Sequence, residues 1–193
     1  MAHIVVFHSA LGLRPGVRQF AEHLRAAGHE VLTPDFYGGD TYDDYQEGSQ
    51  KWSAVGHLTI LQQAQDLSAP LTGNVIFAGF SNGAAVAEFL AGTHPQAQAA
   101  LLMHGALPLS MLHLSGWPPA VRVQLHYSQG DPFRSPEHEA ALEEEVTGSG
   151  AAFAEFLYEG DGHLFADPDL PDYRDASARL MLERVLAFLG QDR

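Results

Sequence analysis

A serine between two glycines is the residue of this sequence best placed to do chemistry. Residues 79–83 read Gly79-Phe80-Ser81-Asn82-Gly83 and match the G-x-S-x-G pattern. An apolar run, Asn74–Ala78, precedes them, and a helical pattern, Asn82–Thr93, follows. In a nucleophile elbow, small flanking residues allow a sharp strand-to-helix turn that exposes a strained serine. The alternative is a glycine-rich turn in which the serine is only a helix N-cap. The strand–turn–helix context favours the elbow.

A serine hydroxyl needs a positioned base to remove its proton, and histidine is the usual one. The chain has 11 histidines. We select His163, because it follows the last predicted strand in a loop that can reach the carboxyl edge of a sheet. His8 and His104 end predicted strands and are candidates for a pocket wall. We expect packing or surface roles for the histidines in other strand or helix contexts, which are His3, His23, His29 and His57.

The base in turn needs a carboxylate that fixes its tautomer. Asp131 follows a predicted strand in the turn Ser128–Phe133, and we select it as the acid. Asp167 is the second candidate, whereas Asp161 lies only two residues from His163. The order Ser81, Asp131, His163 is the order of nucleophile, acid and base in α/β-hydrolases, with each residue after a different strand. Alone, Asp131-Pro132 would be an ordinary turn.

A tetrahedral oxyanion needs two backbone N–H donors. We expect one from Asn82, next to the nucleophile, and one from the loop after the first strand, where Ala10 or Leu11 is suitably placed. The apolar segment Gly105–Pro119 is expected to form the pocket wall. Aromatic residues in the loops after strands would contribute, although such residues more often belong to the core. These are Phe36, Tyr37, Phe133 and Phe165.

Alternating strand and helix patterns must position these residues. The predicted strands are His3–His8, Glu30–Thr33, Asn74–Ala78, Ala99–His104, Val121–Tyr127 and Ala152–Tyr158. The predicted helices are Pro15–Ala27, Trp52–Gln65, Asn82–Thr93, Pro136–Thr147 and Tyr173–Leu189, and the long loops are Tyr37–Gln50, Gly105–Pro119 and Gly160–Pro171. This order predicts one α/β domain over residues 1–193, with a mostly parallel sheet of about six strands and helices on both faces.

Composition excludes several classes of function. With 24 acidic and 10 basic residues, the net charge of −14 argues against binding to nucleic acid or an anionic membrane surface and favours a small neutral ligand. The absence of cysteine excludes disulfides and thiolate sites. There is no G-x-G-x-x-G after the first strand and no H-E-x-x-H, so we expect neither a nucleotide cofactor nor a metal. No signal sequence or membrane-spanning run is evident, and we expect a cytoplasmic monomer or homodimer.

The chain resembles the dienelactone hydrolase family of α/β-hydrolases over nearly its whole length. The resemblance rests on Phe7–Leu13, Gly28–Gly39, the serine motif, Gly130–Phe133 and Gly162–Phe165. It implies a hydrolase of esters or lactones with no cofactor and no large lid domain. It also implies a triad of Ser81, His163 and Asp131, with the N–H groups of Ala10 and Asn82 as the oxyanion hole.

Two features depart from the family's best-known members. They have cysteine at the position of Ser81 and glutamate at the position of Ser9, so the sequence favours a general serine esterase mechanism over dienelactone itself. Arg14 and Arg134 lie in loops where a substrate carboxylate could be bound, but neither matches the family's carboxylate-binding arginines, and a solvated surface charge is the commoner role. A thioesterase would have the same triad. A non-catalytic protein that binds small molecules on the same fold is the alternative from another class.

Overall fold

The computed structural model describes residues 1–190 and contains one six-stranded parallel sheet with the order β2-β1-β3-β4-β5-β6. The strands are β1 (His3–Phe7), β2 (Glu30–Leu32), β3 (Val75–Phe80), β4 (Ala97–Met103), β5 (Arg122–Ser128) and β6 (Phe153–Tyr158). The helices are α1 (Pro15–Ala26), α2 (Tyr45–Val55), α3 (His57–Ser68), α4 (Asn82–Thr93), α5 (Pro136–Gly148) and α6 (Asp175–Gly190), with a short 3-10 turn at Leu109–Leu112. The predicted parallel sheet is confirmed, and each strand begins and ends within two residues of its predicted bounds.

Helices cover both faces of the sheet, and the four central strands, β1, β3, β4 and β5, are almost entirely buried. Successive side chains of a strand point to opposite faces. In β1, Val5 and Phe7 join the core that α3, α4 and α5 cover. Ile4 and Val6 join the core beneath α1 and α6. This two-sided burial explains why the strands are apolar at consecutive positions. None of the helices within residues 1–190 is long and apolar enough to cross a membrane.

The segment predicted as a long exposed loop, Tyr37–Gln50, is partly helical. Asp44 caps the first turn of α2 by accepting hydrogen bonds from the N–H groups of Gln46 and Glu47. The single helix predicted at Trp52–Gln65 is likewise wrong, because the chain turns at Gly56 between α2 and α3. Gly56 has φ 90°, a conformation that glycine adopts without steric cost, and it ends one helix and starts the next.

The carboxyl ends of the strands meet along one edge of the sheet and bring distant loops together. The register pairs Phe7 with Gly79 and Phe80 with Met103, so the loops after β1, β3 and β4 emerge side by side. On the other side, β5 and β6 end together with Ser128 opposite Tyr158. The candidate residues after β1, β3, β5 and β6 therefore lie on one edge, where ligands bind in open parallel sheets.

Candidate active site

Ser81 lies in a strained turn between β3 and α4. It has φ 53° and ψ −117°, a region that a residue with a Cβ rarely occupies. The two glycines permit this turn: a Cβ at Gly79 would collide with the carbonyl oxygen of Gly83, and one at Gly83 would collide with that of His8. The turn thus requires glycine at both positions, which explains the two glycines of the G-x-S-x-G pattern.

His163 joins Ser81 and Asp131 in a chain of hydrogen bonds. Its Nε2 lies 2.7 Å from Ser81 Oγ, and its Nδ1 lies 2.7 Å from Asp131 Oδ2. A carboxylate only accepts, so Nδ1–H donates to Asp131 and Nε2 is free to accept the serine proton. The Asp131 side chain is 0% exposed, and its Oδ1 accepts from the N–H of Phe133. The structure therefore brings the three selected residues together in the order that nucleophilic catalysis needs.

The loop that carries His163 is fixed by residues that sequence analysis did not single out. Asp172 Oδ2 accepts hydrogen bonds from the N–H of His163 at 2.9 Å and of Leu164 at 3.3 Å. The hydroxyl of Tyr45, the first residue of α2, donates to the same oxygen at 2.7 Å, and its ring contacts that of His163. No sequence pattern relates Tyr45 to Asp172, because 127 residues separate them.

Ala10 and Asn82, which are the proposed N–H donors, both line the cavity beside Ser81. Asn82 begins α4, so its N–H is one of those that no carbonyl of the helix accepts. In the loop after β1, the Leu11 N–H donates to Ser9 Oγ at 3.1 Å and is already used. The sequence left Ala10 and Leu11 as alternatives, and Ala10 is therefore the one whose N–H can donate to an oxyanion. Its carbonyl accepts from the Tyr37 hydroxyl at 2.9 Å.

A cavity of about 400 Å³ opens beside Ser81. Of the four aromatic residues expected on its wall, only Phe133 lines it, and its ring stands 4.7 Å from that of His163. The expectation is wrong for Phe36, Tyr37 and Phe165, which are buried behind the wall. Phe36 and Tyr37 pack on His8, while Phe165 packs on His104. In these positions, all three rings are removed from water.

The segment Gly105–Pro119 contributes to the wall only through its first residues. Gly105, Ala106 and Leu107 line the cavity. Further along, Leu109 and Trp117 pack into the core that α4 and α5 cover. The prediction of an apolar wall from this segment thus holds at one end only, because the remaining apolar residues close the hydrophobic core.

The described walls of the cavity carry no Asp, Glu, Lys or Arg side chain. Arg14 donates to Asp167 at 2.8 Å, and Arg134 donates to Glu139 at 2.6 Å, so each arginine already has a carboxylate partner. Asp167, the second candidate for the acid, is thus bonded to Arg14, whereas His163 Nδ1 is bonded to Asp131. Within residues 1–190, no group of three or more His, Cys, Asp or Glu side chains is arranged to hold a metal ion.

His104 lines the cavity with a neutral ring. It is fully buried, and burial, followed by the proximity of His163 and His126, lowers its pKa well below the usual 6.5. Neither ring nitrogen has a hydrogen-bond partner within the described part of the chain. The ring centroid lies 5.8 Å from that of His163. Because its ring is neutral, His104 adds no positive charge that would oppose an imidazolium at His163.

Comparisons with known proteins agree with this architecture. The model of the dienelactone hydrolase family matches residues 1–192. A dienelactone hydrolase-like promiscuous phosphotriesterase from metagenomic libraries superposes with a TM-score of 0.81 at 20% identity, covering 99% of this chain and 86% of that one. A Klebsiella pneumoniae protein assigned as a dienelactone hydrolase gives 0.76 at 19% identity, with 98% and 86% covered. For one of the metagenome-derived lipolytic enzymes LipS and LipT, the values are 0.69, 17%, 98% and 94%.

At these identities, the structural likeness shows the fold, which is that of the α/β-hydrolases without a large lid domain. No curated protein is similar enough to this chain to count as a match. Any narrower function must therefore be argued from the chain's own residues.

Proposed function

Because the chain belongs to the dienelactone hydrolase family, we propose that it is a serine hydrolase that cleaves a carboxylic ester or lactone through an acyl-enzyme on Ser81. One observation carries the proposal. Ser81 lies in a strained turn beside the cavity, and two hydrogen bonds of 2.7 Å join its Oγ to His163 and His163 to Asp131. A serine that serves only as an N-cap needs neither a buried imidazole nor left-handed backbone. Indeed, the Ser81 side chain makes no capping hydrogen bond to α4.

In the first half of the reaction, His163 Nε2 takes the proton of Ser81 while Oγ attacks the carbonyl carbon. The carbonyl oxygen becomes an oxyanion, which the N–H groups of Ala10 and Asn82 stabilise. The buried Asp131 stabilises the imidazolium and remains ionised. Collapse of the intermediate breaks the bond to the alkoxy oxygen. That oxygen takes the proton from His163, and the acyl group stays on Ser81.

In the second half, water takes the place of the alcohol. His163 removes a proton from water, the hydroxide attacks the acyl carbon, and the same N–H groups stabilise the second oxyanion. Ser81 Oγ leaves with the proton from His163, and the acid is released. In a lactone, the alcohol is part of the acyl chain, so ring opening leaves it attached and the final product is a single hydroxy acid. Every proton transfer and charge in these steps is thus assigned to a named side chain, a backbone N–H group, the substrate or water.

The cavity supports an uncharged substrate of small to medium size. Its volume of about 400 Å³ is near the lower end of the range for small-molecule sites. Leu11, Ala106, Leu107 and Phe133 present apolar surface, and the described wall carries no Asp, Glu, Lys or Arg. A net charge of −14 also disfavours the approach of anions. We therefore expect neutral esters or lactones to be better substrates than carboxylate-bearing ones.

Labelling with a fluorophosphonate tests the proposal directly. An activated serine displaces fluoride and gains one phosphonyl group, which intact-mass spectrometry detects. We expect one adduct on the wild type and none on Ser81→Ala. Ser49→Ala is the matched control, because Ser49 also lines the cavity but no hydrogen bond to a histidine is found for it. Its labelling should equal that of the wild type.

A panel of neutral esters, lactones and thioesters then identifies the bond that is cleaved. Ser81→Ala should lower kcat by on the order of 10⁴-fold or more for every substrate that the wild type turns over. Folded wild-type protein that gains no adduct and hydrolyses no member of the panel would contradict the proposal. That outcome would favour a protein that binds small molecules without turnover.

A further inference from the structure

His8 is a buried histidine that the reaction described above does not use. It follows β1 directly and is 0% exposed. Its Nδ1 lies 2.7 Å from the carbonyl oxygen of Ser9, and its Nε2 lies 3.2 Å from the backbone nitrogen of Phe36. The rings of Phe36, Tyr37 and Trp52 surround it, with centroids 5.2, 4.9 and 6.2 Å away. A polar ring in so apolar a setting is costly to bury unless both nitrogens are used.

The two partners of His8 determine where its proton lies. The Phe36 N–H only donates, so Nε2 accepts and carries no hydrogen. The Ser9 carbonyl only accepts, so Nδ1 carries the proton and donates it. Burial also lowers the pKa of His8, against the opposing effects of the Ser9 carbonyl and of Asp35. The ring is therefore neutral and protonated on Nδ1.

The carbonyl that His8 fixes belongs to the same peptide group as a proposed oxyanion donor. The Ser9 C=O and the Ala10 N–H are parts of one planar unit, and in a trans peptide they point in opposite directions. A rotation of that plane would turn both together. The Ser9 oxygen also accepts from the Gly12 N–H at 3.1 Å, so it is held from two sides.

We propose that His8 is a positioning residue of the oxyanion hole. By donating Nδ1–H to the Ser9 carbonyl, it fixes the Ser9–Ala10 peptide plane so that the Ala10 N–H faces the acyl oxygen. The Nε2 contact with Phe36 fixes the ring itself, because a ring turned by 180° would lose both hydrogen bonds. This inference rests on the proposed function, since it assigns a role within that site. It predicts that His8 acts on the transition state rather than on substrate binding.

Two substitutions at His8 separate its hydrogen bond from its bulk. His8→Leu keeps an apolar side chain of similar size but has no donor. In His8→Asn, the amide nitrogen bonded to Cγ corresponds to Nδ1 and can donate to Ser9. We expect kcat for a neutral ester to fall about 10- to 100-fold in His8→Leu, below the full effect of losing an oxyanion donor, with KM within about twofold. His8→Asn should recover at least half of that loss on a logarithmic scale.

His126→Leu is the matched control for the loss of a buried histidine. His126 in β5 is also 0% exposed, and its two nitrogens contact Tyr158 at 2.7 Å and Gln124 at 3.0 Å. Like His8→Leu, this variant loses two buried hydrogen bonds, so a similar loss of stability is expected. Its kcat should stay near the wild-type value, measured well below the melting temperature of each variant.

The outcomes distinguish this inference from the proposed function. A wild type that neither labels nor turns over esters would contradict the proposed function and this inference with it. An active wild type whose kcat is unchanged in His8→Leu, is lowered equally in His126→Leu, or is not recovered in His8→Asn would overturn the role of His8 alone. The ring ¹⁵N shifts of His8 in the wild-type protein give a readout without activity. A proton on Nε2 rather than Nδ1 would also overturn the inference.

Discussion

Replacing Arg14 tests whether this buried arginine is a structural residue or a substrate ligand. Arg14 lies between the loop after β1 and α1. Its Nε donates to Asp167 at 2.8 Å, and its Nη1 donates to the carbonyl of Tyr42 at 2.7 Å and to Asp43 at 2.6 Å. One side chain thus joins the loop after β1, the segment before α2 and the loop that carries His163.

The magnitude of the effect follows from which partners are buried. The side chains of Arg14 and Asp167 are 5% and 8% exposed, whereas that of Asp43 is 89% exposed. In Arg14→Met, Asp43 returns to water at little cost, but Asp167 is left buried without its cation. Removing one partner of a buried pair costs about 3–5 kcal/mol. For a chain of this size, that lowers the melting temperature by about 6–20 °C.

A second substitution separates loss of packing from the uncompensated charge. Asp167→Asn removes that charge, so Arg14→Met/Asp167→Asn should be more stable than Arg14→Met alone. We expect unfolding in urea at pH 7, followed by circular dichroism, to show this non-additivity. A cost below about 1 kcal/mol for Arg14→Met, or strictly additive losses, would refute the reasoning.

The same variant also tests substrate binding. If Arg14 is occupied by Asp167, then Arg14→Met changes the KM of an ester with a free carboxylate no more than that of its neutral analogue. A rise in KM confined to the carboxylate-bearing ester would show that Arg14 contacts substrate.

Two further predictions concern Tyr45, beside His163, and Glu155, in β6. Tyr45→Phe removes the hydroxyl that donates to Asp172 and should lower the free energy of unfolding by about 1 kcal/mol, measured in urea, with a several-fold drop in kcat. Burial and the neighbouring Glu139 raise the pKa of Glu155 from its usual 4.5 to about 7. A raised carboxyl pKa means that stability falls as the pH rises from 4.5 to about 7. Melting temperatures at pH 5 and 8 should therefore differ less in Glu155→Gln than in the wild type, and an equal difference would contradict the assignment.

Much of the fold could be predicted because the central strands are buried on both faces. Consecutive apolar residues such as Ile4–Phe7 have few alternatives to a strand in a covered parallel sheet. The geometry of Ser81 could be predicted for a related reason, since the glycines at 79 and 83 leave room that other residues would fill. Both constraints leave short patterns of neighbouring residues, so they can be recognised from the sequence alone.

The sequence did not predict which side of each loop faces the cavity. Phe36, Tyr37 and Phe165 follow strands, as wall residues should, yet they pack behind the wall on His8 and His104. The positions of these rings depend on the burial of the two histidines, which is determined only when the strands assemble into the sheet. The start of α2 was missed because Tyr45–Gln50 has a weak apolar period, and tertiary contacts such as Tyr45 with Asp172 stabilise it instead.

Three polar contacts between distant segments hold the loops of the site: His8 with Phe36, Arg14 with Asp167 and Tyr45 with Asp172. Hydrophobic residues could fill the same space, and replacing a buried ion pair in this way is often neutral or stabilising. Apolar packing, however, tolerates small displacements, whereas a hydrogen bond fixes distance and direction together. A serine, its base and two N–H donors must be held to within a fraction of an ångström. Arg14→Met/Asp167→Leu is accordingly expected to regain stability over Arg14→Met without regaining kcat, because the pair positions the loops more than it stabilises the fold.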